Sequence, residues 1–424
     1  MKLKKYKLYE IADLNKSSIS NSDNTLSEII YLDTSSITEN VILGTCKMSI
    51  HEAPSRAQRR VKKNTILYST VRPRLKHYGI LSSPEANLIV STGFVTIDVK
   101  SEFQNSVDAR FLFLLLTQPH ITEYIASIAD SAVSAYPSFN PSDISALEFE
   151  FPEMNIQTHI ADIWKYYDSK IELNRQINDN LEAMAKLLYD YWFVQFDFPN
   201  EEGRPYKSSG GAMVWNDKLK REIPKGWTSA KIKDAAHTYS GGTPTSTNSK
   251  YYDGGNIPWI NSGELNNPII TSTTNYITEE GLNNSSAKLY PQDTVLVALY
   301  GATAGKVSLL SFEACSNQAV CGVIPQNKIM TTYIRYYLSS LYEHFITLSS
   351  GSARDNISQD TIKNTILPIP QEKILKEYSD SVVPIISKII ANQKEIENLT
   401  KQRDELLPLL MNGQATVNYH LSDD

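Results

Sequence analysis

The sequence predicts an α+β protein: two β-rich globular domains joined by two long helices that form an antiparallel coiled coil, the whole being a tandem repeat with a pseudo-two-fold relation. Three observations carry this. Two stretches of about 40 residues hold apolar residues at heptad spacing. Each follows a β-rich segment of roughly 150 residues. The two halves also align on one another with a nearly constant offset.

The first domain spans residues 1–152 and ends in the strand-like "ALEFEF" before Pro152. A helix over 153–197 follows, with Ile156, Ile163, Ile177, Met184 and Tyr191 on one row and Ile160, Tyr167, Leu181 and Leu188 on the next. Asn174 falls in that second row, and Lys170 in the first. Residues 198–224 are rich in Gly, Ser, Pro and charge and read as a linker, so the second domain takes 225–370, starting near Trp227. The second helix, 371–412, begins just past Pro370 and carries the row Tyr378, Ile385, Asn392, Leu399, Leu406. A short polar tail, 413–424, completes the chain.

The duplication is read position by position. An offset of 218 superposes the two helix rows without a gap and makes Asn392 the twin of Asn174. "IIYLDTSSI" (29–37) parallels "IPWINSGEL" (257–265) at an offset of 228, and "TILYSTVRPRLKHYGIL" (65–81) parallels "TVLVALYGATAGKVSLL" (294–310) at 229. "SAYPSFNPSDISALEFEFP" parallels "SARDNISQDTIKNTILPIP" at 218. In an antiparallel pair the helix midpoints meet, which predicts that Asn174 and Asn392 bond across the seam. Such a buried amide pair costs stability but fixes register, because every slipped register strands an amide.

Composition narrows the class. With 41% hydrophobic and 21% charged residues, the chain can build ordinary cores. Cys46, Cys315 and Cys321 form neither a CxxC pair nor an even framework. "MKLKKYKLYEIADL" has no apolar run behind its charge, and no stretch of about 18 apolar residues occurs, so a cytoplasmic protein is expected. The net charge of −6 hides a local excess: residues 47–76 hold nine basic residues and one acid, a balance of +8. Such separation of charge is what a phosphate-binding surface requires.

Catalytic patterns are absent. "GATAGKV" has only three residues between Gly301 and Gly305, and Val307 stands where a phosphate loop needs Ser or Thr. "FNPSDI" lacks the Asn-Pro-Pro-aromatic run with which an amino-methyltransferase grips its target base. No HExxH, clustered ligand spacing or nucleophile elbow appears. The chain therefore reads as a binder rather than an enzyme.

Two copies of a β-rich domain plus long helix resemble the specificity subunit of Type I restriction–modification systems. The resemblance rests on "SGGTPTSTNSKYYDGGNIPWINSGEL", "DTVLVALYGATAGKVSLL", "SNQAV", "SGSARDNIS" and the segment 198–227, and it covers essentially the whole chain. It implies a non-catalytic subunit that recognises double-stranded DNA, with two target-recognition domains, each reading one half of an asymmetric bipartite sequence, and two spacer helices that set the unread gap. It also implies two modification (methyltransferase) subunits that methylate adenine with S-adenosylmethionine, and restriction subunits that use ATP and Mg; no cofactor is expected in this chain. The first half departs from the family pattern, having "NKSSIS" and "RPRLKHY" in place of the glycine-bearing motifs.

Candidate contacts follow from the chemistry of DNA, in which lysine and arginine position phosphates and forked donors read base edges. In the first domain Arg56, Arg59, Arg60, Lys62 and Lys63 are assigned to phosphates, while Arg72, Arg74 and Lys76, after the apolar "TILYSTV", are placed to reach bases. In the second domain the candidates are Thr243, Lys250, Tyr251, Tyr300, Lys306, Asn317, Gln318, Arg354 and Asn356. The alternative is a coiled-coil scaffold whose two β-rich heads bind protein or glycan ligands, against which the basic segment speaks in one half.

Overall fold

The structure is a computed structural model that describes residues 3–19, 26–131, 136–349 and 356–415. The chain forms two compact units: Met1–Ser169 with Lys401–Asp424, and Lys170–Thr400. The dividing line therefore crosses both long helices, Met154–Tyr189 and Glu372–Met411, rather than falling at their ends.

In the first unit, an antiparallel sheet has the order Ala12–Leu14, Phe94–Val99, Ile66–Ser69, Tyr78–Ile80. Phe94–Val99 is buried along its whole length, and its polar Asp98 is satisfied there by the Thr65 hydroxyl, which donates to it at 2.7 Å. A second sheet has the order Cys46–Ser49, Glu28–Leu32, Leu88–Ser91, Ala57–Arg60, with a parallel pair at its centre. Lys4–Lys7 pairs with Glu148–Phe151 just before the first long helix. There the alternation is plain: Phe149 and Phe151 are buried, while Glu148 and Glu150 turn outward to Lys5, at 3.8 and 2.9 Å.

The second unit repeats this plan. Ala236–Ser240, Val320–Pro325, Val295–Ala298 and Val307–Leu310 follow in the same order, extended by Ile269–Ile270. Ile257–Ile260 and Cys315–Ser316 repeat the parallel pair. The Ala57–Arg60 strand has no full counterpart; its place holds a single bridge between Tyr290 and Ala314. Backbone conformation repeats as well: Asn64 and Asp293 (φ 66° and 69°), Arg72 and Gly301 (49° and 84°), and Lys76 and Gly305 (54° and 80°) are all left-handed, each pair at the offset of 229.

The long helices run antiparallel. In the second unit Trp192 meets Tyr378, ring centroids 5.8 Å apart, and Asn178 meets Asn392; in the first unit Asp168 meets Arg403 at 3.6 Å. Their seam corrects the predicted one. Gln157, Trp164, Ile171, Asn178 and Ala185 are the most buried row of the first long helix, continued by Trp192 just past its end. Of the predicted rows, Ile160 is buried and Tyr167, Leu181 and Leu188 are half-buried beside it, whereas Met184 is 47% exposed. The true row mixes aromatic, amide and small residues, so no uniform apolar stripe marks it. Asn392, 3% exposed, donates from Nδ2 to Asn178 Oδ1 at 3.0 Å, and Asn178 Nδ2 approaches the Ile389 carbonyl at 3.4 Å. Asn174, one turn away, is half-buried and is not the partner.

Residues 198–224 are a folded element rather than a loose linker. Met213–Asn216 and Arg221–Pro224 form a hairpin, and Phe198 stacks between Tyr206 (4.7 Å) and Trp227 (5.4 Å). Left-handed Gly203, Gly210 and Lys220 supply the turns that its Gly and polar content suggested. Helix Thr331–Ser340 docks on the first long helix through Arg335, 2% exposed, whose Nη2 lies 2.7 Å from Glu182 and whose Nη1 donates to the Tyr336 hydroxyl.

Candidate nucleic-acid interface

In both units, three chain segments converge at one end of the sheet, held by matching main-chain bonds, and in the first unit the Arg56 segment joins them. In the first unit Thr70 N donates to Gly93 O (2.9 Å), Phe139 N to Thr70 O (3.1 Å) and Arg72 N to Pro137 O (2.9 Å), while Thr92 N donates to Arg56 O (2.8 Å). In the second, Leu299 N donates to Ala319 O and Ile357 N to Leu299 O, both at 2.7 Å. Val71 bridges Ser138 as Tyr300 bridges Asn356. The frame is thus the same, and the side chains it presents differ.

The first unit's basic residues do not form one surface. Arg56 and Arg72 flank this end. Lys62 and Lys63 lie past the far end of Ala57–Arg60, about 20 Å along an extended chain from Arg56. There they line a polar recess of about 780 Å³ with Arg110 and Lys165, and Lys62 Nζ lies 3.8 Å from Asp98. Arg59 is half-buried; its Nη1 donates to Ser18 Oγ (3.2 Å) and Asn15 O (3.4 Å), which makes it a brace for the edge strand. Burial lowers its pKa from the usual arginine value. Arg60, also half-buried, pairs with Ile89 across the sheet.

The three residues assigned to bases also separate. Arg74 is held by Asp130 (2.7 Å) and Glu123 (3.2 Å), and those hydrogen bonds raise its pKa. Lys76 is held by Glu39 at 2.5 Å. Arg72 lies with its guanidinium carbon 4.9 Å from the ring centre of Tyr136, and both residues are exposed. Tyr136 and Ser138 were missed in the sequence, where "SAYPSF" shows no charge or period to mark them.

In the second unit Thr243, Tyr300, Gln318 and Asn356 come together. Thr243 Oγ1 donates to Gln318 Oε1, and Tyr300 bridges Asn356 through the main chain. Burial raises the Tyr300 pKa, and the Gln318 side chain partly opposes this. Asn317 turns inward to Asn261 (3.2 Å) and to the Ala319 N–H (3.0 Å), a bracing role. Lys306 Nζ donates to Asn266 Oδ1 at 2.5 Å. Lys250 and Tyr251 sit apart, in the 3-10 turn Ser249–Tyr251 packed against Thr278 and Gly281. Arg354 lies outside the described residues.

Among the described residues no group of three His, Cys, Asp or Glu side chains is placed to hold a metal ion, and no helix is long and apolar enough to cross a membrane.

Comparison with known proteins gives the arrangement its context. A family model described as the Type I restriction modification DNA specificity domain matches residues 2–183 and again 224–402. The Type I restriction enzyme HindI specificity subunit of Haemophilus influenzae is 28% identical over 96% of this chain and 99% of its own. The MjaIX specificity subunit of Methanocaldococcus jannaschii is 28% identical over 84% of this chain and 78% of its own. The solved S subunit of a Type I restriction-modification system from M. genitalium shares the fold, with a TM-score of 0.58 at 15% identity and 96% coverage of each chain. With the family domain matched in both halves and the repeat evident in sheet order and loop backbone, this chain belongs to the Type I restriction–modification DNA specificity family.

Proposed function

We propose that this chain is the DNA-recognition subunit of a Type I restriction–modification complex, reading an asymmetric bipartite target with one unit per half-site. One observation carries the reading: the same loop frame stands at the same sheet end in both units, yet Arg72 and Lys76 replace Gly301 and Gly305. A common frame with unlike side chains is what two unlike half-sites require. The chain itself performs no chemistry. Adenine methylation belongs to two modification subunits carrying S-adenosylmethionine, and cleavage to restriction subunits using ATP and Mg. Arg56 and Arg60 of the first unit contact phosphates, with Lys62 and Lys63 engaging the backbone farther along. Thr243, Gln318, Tyr300 and Asn356 form the reading surface of the second.

The test combines the purified chain with a modification subunit. DNA affinity should fall steeply with salt, and removing one phosphate-contacting lysine should reduce the log–log slope by about 0.9. Site-specific adenine methylation should appear only when both subunits are present. A flat salt dependence, or methylation by this chain alone, contradicts the proposal.

A further inference from the structure

We infer that Arg72 is the specificity-determining side chain of the first unit, a guanidinium held ready for the O6/N7 edge of a guanine in the major groove. The inference rests on the function proposed above and names the residue that makes the two half-sites unlike at this position.

The backbone at Arg72 is strained. Arg72 has φ 49° and ψ 64°, a conformation that a Cβ disfavours and that Gly301 fills at the equivalent point of the second unit. A side chain kept at a glycine position marks a place where the side chain is used. The main chain there is over-determined: Arg72 N donates to Pro137 O, Leu75 N donates to Arg72 O at 2.9 Å, Val71 bridges Ser138, and Pro73 is buried.

Lys76 shares the strained conformation, but its ammonium is taken by Glu39, and Arg74 is taken by Glu123 and Asp130. Arg72 has no carboxylate partner among the described residues. It lies instead over Tyr136, which is 59% exposed. Contact through one π-face orients the guanidinium and leaves its N–H edge open. A fixed planar fork matches the paired acceptors of guanine, whereas a phosphate contact needs only charge and tolerates any plane.

The experiment uses the chain assembled with its modification subunit, a library of DNA randomised over the target, and sequencing of methylated products. Wild type should prefer guanine at one position of the first unit's half-site by roughly 5- to 150-fold, the range of a bidentate pair. Arg72→Lys and Arg72→Ala should both lose that preference, leaving the other positions and the other half-site unchanged. Arg72→Gly should do the same while its thermal midpoint stays level or rises, because glycine relieves the left-handed residue; this separates lost reading from lost folding. If Arg72→Lys keeps the wild-type pattern, the residue is a phosphate contact and the inference is overturned. If wild type itself shows no sequence preference, the function proposed above falls, and this inference with it.

Discussion

Asn392 and Asn178 form a buried amide pair at 3.0 Å, and its energetics separate three variants. Asn392→Leu alone strands the Asn178 amide and should cost about 1–3 kcal/mol. Replacing both by Leu removes the unmet groups and should raise stability above that single variant while loosening register. Asn174→Leu, at a half-buried site outside the pair, should stay within about 0.5 kcal/mol of wild type. Urea unfolding of the three variants checks this order; an equal loss from Asn174→Leu contradicts it. Asn392 was legible as a polar residue in an apolar row, but its partner was not. The repeat offset relates equivalent positions, whereas contact across an antiparallel pair relates facing ones, and the two need not coincide. The ion pairs that hold Arg74 and Lys76 were hidden for a similar reason. The two basic residues are visible in the sequence, but Glu39, Glu123 and Asp130, which neutralise them, lie 37 to 56 residues away.

At the scale of elements, the β-rich character of each half, the strand Glu148–Phe151 and both long helices were legible because period-2 and heptad patterns are local consequences of burial. The segment 198–224 was not, since its packing depends on Phe198, Tyr206 and Trp227, aromatics with no period, set among glycines that resemble a loop. The buried Arg335 was equally hidden inside "TTYIRYY", because nothing near it in sequence announces Glu182. Its Nε and Glu182 Oε2 make no further bond, so the pair is tightly enclosed and incompletely satisfied. Removing one partner of a buried ion pair costs about 3–5 kcal/mol. Glu182→Ala should therefore lower unfolding stability by that order and loosen the docking of Thr331–Ser340 on the first long helix. Denaturant unfolding with hydrogen exchange in that helix measures both, and a loss below about 1 kcal/mol would show that solvent screens the pair.

The whole molecule is one frame used twice, with its chemistry varied at the loop tips. Sheet order, the parallel strand pair and the left-handed positions at 64, 72 and 76 all recur at 293, 301 and 305. The first unit presents Arg56 and Arg72 there, while the second presents a neutral cluster of Thr243, Tyr300, Gln318 and Asn356. Two such units should read their parts of the target independently. Mapping methylated adenines by sequencing DNA modified by the assembled complex tests this most directly, with wild type compared to a Thr243→Ala, Gln318→Ala double variant. A two-part motif in wild type, of which the variant relaxes only one part, is the predicted result. A single contiguous motif, or relaxation of both parts together, would contradict it.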